Sequence, residues 1–192
     1  MRNKIEHGRL VLIVGPSGAG KDTLIDYARA RLHHEPRIRF VRRVITRPAS
    51  VAEDHEPLDP DRFQAEVERG AFALHWGAHG LHYGLPGIID QWLAQGDVVV
   101  ANGSRGIVPH ARQRYKGLQL VHITAAPSIL EQRLQDRGRE GVQSRQARMA
   151  RSDSIDVSLD DALMIDNSSD VGRAGERLVE VLWDAISRVG GR

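Results

Sequence analysis

Cysteine is absent from the 192-residue chain. That excludes disulfides, thiolate metal sites and cysteine nucleophiles. Aromatic residues are scarce, at 5%, and there is neither a dense basic stripe nor an interleaved aromatic run of the kind that marks a nucleic-acid interface. Basic and acidic side chains nearly balance, 27 against 25, for a formal charge of +2. No apolar run reaches the length of a membrane span, and Met1 to Gly8 is polar, without the apolar stretch of a secretion signal. The nine histidines are scattered; the one His-x-x-x-His spacing, His75 to His79, falls across a short strand and a turn rather than on a helix face, so it does not suggest a zinc site. The expectation is one cytoplasmic domain over 1–192, monomer or homodimer, with neither nucleic acid nor membrane as partner.

What is present is a glycine-rich turn in a specific setting. Gly15-Pro16-Ser17-Gly18-Ala19-Gly20-Lys21-Asp22-Thr23 follows the apolar run Leu10–Val14 and precedes a helical pattern with Leu24, Ile25, Ala28 and Leu32 on one side. Strand, glycine turn and helix, with complete Gly-x-x-x-x-Gly-Lys spacing, make a phosphate-binding loop. Glycines let backbone N–H groups approach an anion without a Cβ in the way, and the helix adds its positive end. Lys21 supplies a full charge for the terminal phosphates of ATP. The residue after the lysine is Asp22 rather than the usual Ser or Thr, with Thr23 next. Either can serve Mg²⁺, which prefers oxygen ligands and keeps several waters.

The rest of the chain alternates strands with helices. Ile38–Ile45 reads as one strand running into Thr46-Arg47-Pro48, and Pro48 keeps Arg47 out of helical conformation at a strand exit. Residues 49–60 are acidic and proline-containing and read as a loop. A helix from Asp61 buries Phe63, Val67 and Ala71 and stops at Gly70; Phe72–Trp76 reads as a short strand, and 79–86 as a turn with short strands around it. Ile88–Gln95 reads as a helix with Ile88, Ile89, Trp92 and Leu93 inward. Val98–Asn102 and Leu118–Thr124 read as buried strands, with helices near 107–115 and from Pro127. Ala162–Asn167 is the last strand and its exit, and Val171–Val189 a closing amphipathic helix. The fold class is α/β, a three-layer sandwich with a central parallel sheet.

Taken together, these anchors resemble the guanylate-kinase-like family of P-loop kinases. They are the loop, Thr46-Arg47-Pro48 with Glu53, the block 61–84 ending Tyr83-Gly84, Arg133-Leu134-Gln135-Asp136-Arg137-Gly138, and Asp166-Asn167. The departures are specific. The second phosphate-holding arginine of guanylate kinases falls on Ser50. Their guanine-reading carboxylate falls within Phe72–Trp76, which has none, and their small hydroxyl residue after Tyr-Gly is Leu85. The carboxylate at the central strand end is Asn102. With GPSGAGKDTL, RRVITRPA, HGLHYGLP and VVVANGSRG, the variant resembles the ribose 1,5-bisphosphate phosphokinases of phosphonate degradation.

That resemblance implies Mg²⁺- and ATP-dependent phosphorylation of ribose 1,5-bisphosphate to 5-phosphoribosyl 1-diphosphate. It implies a substrate-binding insertion near 46–86 and a lid near 133–151. Lys21, Arg133, Arg137 and Arg148 are the implied catalytic cations, and residues 15–23 with Asn167 the nucleotide site. Arg47, with Arg42 or Arg43, holds a sugar phosphate beside Glu53 and Tyr83; Asn102, Ser104 and Arg105 take sugar hydroxyls or the second phosphate. Plainer readings stand beside these. Arg47 can serve only as an ion pair to Glu53, the arginines of 133–151 as a solvated helix face, and Asp166-Asn167 as a turn. The alternative functions are a nucleoside monophosphate kinase and a non-catalytic guanylate-kinase-like interaction module.

Overall fold

The structure, a computed structural model, describes residues 7–48, 54–136 and 157–189. Its centre is strand β1 (Arg9–Val14), whose last five residues are all buried. It lies between β7 (Val98–Asn102) and β8 (Leu118–Thr124), parallel to both, with Ile13 opposite Asn102 and Val14 opposite His122. The edges are β2 (Ile38–Phe40) and β9 (Leu163–Asp166), so the five-stranded sheet runs β2-β7-β1-β8-β9 with every pairing parallel.

Successive side chains on a strand point to opposite faces, and here both faces are covered. Val11, Ile13, Val98, Val100, Val121 and Ile123 pack under α1 (Lys21–Arg31) and the last helix, α6 (Val171–Val189). Leu10, Leu12, Val14, Val99, Ala101 and Leu120 pack on the other side, against α3 (Ile88–Ala94) and α4 (Val108–Arg114). The two remaining helices are α2 (Pro60–Glu68), capped by the Asp59 carboxylate accepting from the Arg62 N–H at 2.9 Å, and α5 (Pro127–Asp136). On α6, Gly175 admits the Tyr27 ring, which would lie 2.5 Å from any Cβ there; the Tyr27 hydroxyl donates to Glu176 at 2.6 Å.

A second sheet of four strands, β4-β3-β6-β5, sits beside the first. It comprises β3 (Arg43–Ile45), β4 (His55–Pro57), β5 (Phe72–Ala78) and β6 (Leu81–Pro86). β5 and β6 form a hairpin across His79-Gly80, both at positive φ (54° and 73°), the two-residue turn whose twist suits antiparallel strands.

Three expectations need correcting. Ile38–Ile45 is not one strand: β2 and Val41, whose N–H bonds Val100 O at 2.9 Å, stay with the large sheet, while β3 crosses to the small one. One apolar run does not reveal that its halves have different partners. The acidic stretch 49–60 is not all loop, because His55–Pro57 pairs in parallel with β3. Ile88 is not inward; at the start of α3 it is 38% exposed, while Ile89 and Leu93 are buried. Residues 137–151 of the expected lid lie outside the described residues.

Leu182, fully buried between α6 and the sheet, tests this packing. Leu182→Ala should cost about 2–5 kcal/mol, read as a lowered urea midpoint at unchanged slope. A loss below about 1 kcal/mol would show that α6 does not close the core.

Candidate functional site

The loop between β1 and α1 lies at the carboxyl end of the parallel sheet, where open α/β sheets carry ligands. Its glycines are required by close approach. A Cβ on Gly15 would lie 2.0 Å from the Ile123 carbonyl oxygen of β8, and one on Gly20 would lie 2.4 Å from Asn167 Nδ2. The Lys21 ammonium donates back to the carbonyls of Gly15 and Pro16, each at 2.9 Å. It thus lies over the loop whose amides an anion would meet.

Residues from the far end of the chain brace this loop. Asn167, 1% exposed just beyond β9, donates through Nδ2 to Ala19 O at 2.8 Å. Arg133 of α5 donates to Asn167 O at 2.9 Å and reaches Gly18 O at 3.5 Å. Gly18, Gly20, Thr23, Arg133, Asn167 and Val171 line a recess beside the loop. Asn167 Oδ1 is buried with no hydrogen-bond partner among the described residues.

On the opposite side, the small sheet brings Arg43 against the start of α1. Arg43 is 9% exposed, yet its guanidinium lies 3.5 Å from Asp22 Oδ1 and 3.5 Å from Asn102 O. Asn102, at the end of β7, donates through Nδ2 to the same Asp22 oxygen at 2.6 Å. A buried guanidinium is costly unless paired, and Asp22 pairs it. Tyr83 of β6 lies under Arg43, with the guanidinium carbon 5.7 Å from the ring centre, and stacks on Trp76 at 5.4 Å and 6°. Arg42 points elsewhere, to Asp54 at 2.8 Å and the His55 carbonyl at 3.1 Å, so of the two arginines Arg43 faces the loop. Arg47 follows β3, its carbonyl 3.2 Å from the Nε2 of His55, which is buried. Ser104 and Arg105 follow β7 and are half-buried. Glu53, Ser50, Arg137 and Arg148 lie outside the described residues.

Sequence reasoning missed His122. It lies in the second half of β8, opposite Val14 where the loop begins, with Nε2 buried and lacking a hydrogen-bond partner among the described residues. Burial, then the positive charges of Arg105 and Lys21, hold its imidazole below the usual 6.5. Nothing local to residue 122 signals this; only strand order places it there.

For Mg²⁺ the residues present fit. Among the described residues no group of three or more His, Cys, Asp or Glu comes together, but the start of α1 presents one carboxylate, Asp22, and one exposed hydroxyl, Thr23. That suits a hard cation that takes most of its oxygens from phosphates and water.

Comparison with known proteins places the chain. The AAA domain family matches residues 11–155. The chain is 43% identical over 182 residues to the ribose 1,5-bisphosphate phosphokinase PhnN of Thiobacillus denitrificans, covering 94% of this chain and 96% of the relative. It is 49% identical over 175 residues to the PhnN of Burkholderia mallei, covering 91% and 95%. It is 45% identical over 175 residues to that of Agrobacterium fabrum, covering 90% and 95%. Among solved structures, a guanylate kinase from Anaplasma phagocytophilum superposes with a TM-score of 0.64 over 93% of this chain and 86% of its own, at 16% identity. The fold is guanylate-kinase-like, a five-stranded parallel sheet flanked by helices.

His122 gives a pH test. Its folded-state pKa lies below the unfolded value, so the unfolded chain takes up the proton first, and stability from this group is lost as pH falls through 6.5. The imidazole resonance of His122 should titrate below 6.5, and move upward when ATP offsets the neighbouring cations. A midpoint above 6.5 in the ligand-free protein would contradict the placement.

Proposed function

The chain belongs to the family of ribose 1,5-bisphosphate phosphokinases, and on that footing we propose that it transfers the γ-phosphoryl group of ATP to the 1-phosphate of ribose 1,5-bisphosphate, giving 5-phosphoribosyl 1-diphosphate and ADP. One P–O bond forms, from the acceptor's phosphate oxygen to the γ-phosphorus, and the β–γ bridging bond breaks. The acceptor oxygen is already anionic near neutral pH, so the protein has to position two anions and offset their charge rather than abstract a proton.

The observation that carries this choice of acceptor is the state of the positions that would read a purine. Leu74 and Leu85 are 5% and 0% exposed, packed into the apolar core of α3 and α4. A site that discriminates bases needs hydrogen-bonding groups there. Beside those leucines the same sheet presents Arg43 and Arg47, which suits an acceptor whose recognition elements are phosphates.

The roles we assign rest on the family resemblance together with the positions of the described residues. Residues 15–23 hold the triphosphate, with Lys21 on the group transferred. Arg133 offsets charge from the lid side, with Arg137 and Arg148 as its partners in sequence. Asn167, which lines the recess beside the loop, lies on the adenine side of the nucleotide. Arg43 and Arg47 hold the acceptor with Tyr83, and Ser104 and Arg105 the far end of the sugar. Mg²⁺, when bound with ATP beside Asp22 or Thr23, neutralises phosphate charge. Such a reaction belongs in the cytoplasm, where ATP is supplied.

The deciding experiment is product analysis with purified protein, ATP and either ribose 1,5-bisphosphate or GMP. The sugar bisphosphate should be consumed and GMP left; brisk GMP turnover with the sugar ignored would reject the assignment. Lys21→Ala should lower turnover by about 10²–10³-fold with the thermal midpoint retained, since its charge acts on bound phosphate. Arg47→Ala should weaken acceptor binding more than ATP binding, measured as separate Kd values; equal losses would remove it from the acceptor site.

A further inference from the structure

Asn102 is 5% exposed and sits where β7 ends beside the phosphate loop, with Ile13 opposite it on β1. Its amide is held in one orientation, because Nδ2 donates at 2.6 Å to Asp22 Oδ1 and a carboxylate can only accept. The other end of the same amide, Oδ1, is buried with no partner among the described residues. Buried polar atoms are normally satisfied, and those left bare in a site await something. An amide oxygen accepts only, so an unprotonated phosphate oxygen cannot satisfy it. What completes it must bring a donor hydrogen, and a hydroxyl of the acceptor sugar or a water of the cation's hydration shell can bring one.

Asp22 is constrained on one side and open on the other. Asn102 Nδ2 and the Arg43 guanidinium converge on Oδ1, while the side chain remains 33% exposed. It stands one residue after Lys21, at the mouth of the triphosphate cradle. An oriented carboxylate with an open face suits a hard cation whose remaining ligands are phosphate and water.

We propose that Asp22 and Asn102 form a matched pair: Asn102 is a positioning residue that turns the Asp22 carboxylate toward the divalent cation of bound ATP, and its own Oδ1 accepts a hydrogen bond from an O–H of the bound complex. The donor is a hydroxyl of the acceptor sugar or a water of the cation's hydration shell. The pair therefore couples the nucleotide loop to what binds at the end of β7. This rests on the kinase reading through ATP and Mg²⁺, and through the sugar only in the choice of donor.

The test is binding, without turnover. ATP affinity is measured by calorimetry with and without Mg²⁺ for the wild type, Asp22→Asn, Asn102→Ala and the double variant. Each single change should cut the enhancement that Mg²⁺ gives by about tenfold, the scale of losing a group that orients a metal ligand; Asn102→Ala should leave metal-free ATP affinity within about twofold, whereas Asp22→Asn, which removes a negative charge beside the triphosphate, should raise it. The double variant should lose little more than the larger single, because the two act together. Asn102→Ser replaces Asn102→Ala if the latter has a lowered thermal midpoint.

Ribose 1,5-bisphosphate binding in the presence of a non-hydrolysable ATP analogue separates the donors. If a sugar hydroxyl is the donor, Asn102→Ala weakens the sugar and Asp22→Asn does not. If hydration water is the donor, sugar binding is unchanged and Asn102→Ala loses more of the Mg²⁺ enhancement than Asp22→Asn. If neither pattern is observed, the role of Oδ1 is overturned. An Asn102 variant whose ATP affinity falls equally with and without Mg²⁺, or keeps the full enhancement, overturns the positioning role. A wild type that ignores the sugar bisphosphate yet shows the Mg²⁺ coupling sinks the functional reading and leaves the pair standing.

Discussion

A loop that presents bare amides to an anion cannot carry side chains where its neighbours come closest, and that constraint organises this protein. Gly15 is pressed against the carbonyl of Ile123, and Gly20 against the side chain of Asn167. The loop therefore depends on β8 and on the segment after β9 as much as on its own sequence. The parallel centre, β7-β1-β8, delivers the loop, Asn102 and His122 to the same end of the sheet. Strand burial is thus the means by which distant residues arrive at one site.

The second organising interaction is the cluster of Arg43, Asp22 and Asn102, which ties the small sheet to the large one. As a source of stability it is unremarkable, since desolvating a charge offsets much of what pairing returns. Its value is specificity of arrangement: the guanidinium meets both Asp22 and the Asn102 carbonyl, and that fixes how the small sheet faces the phosphate loop. Tyr83, sandwiched between Arg43 and Trp76, stiffens the same contact from below.

Much of this was legible in the sequence because it is local. Gly-x-x-x-x-Gly-Lys between an apolar run and a helical pattern gives strand, loop and helix from adjacent residues, and the continuous run Val98–Asn102 gives a strand buried on both faces. The family resemblance and its motifs also put Asn102, Asn167 and Arg43 on a short roster of interest. What they could not give is partnership. The Asn102–Asp22 hydrogen bond joins residues 80 apart, and Arg133 meets Asn167 across 34. The division of Ile38–Ile45 between two sheets was hidden for the same reason, as was the strand status of His55–Pro57, whose sequence has no apolar alternation and which pairs because β3 is beside it. His122 gave no signal, since a histidine in an apolar strand looks the same wherever strand order puts it.

The bond from Asn167 to Ala19 has a consequence for how the molecule comes into being. It spans 148 of the 192 residues. A growing polypeptide emerges from its N-terminus, so the glycine turn leaves the ribosome early and waits, its buried carbonyl unanswered, until the final strand and the residue after it have been made. The nucleotide cradle is the first part to be synthesised and the last to be finished. A chain cut short before residue 167 would carry every residue of the motif and still lack the strut that gives it shape.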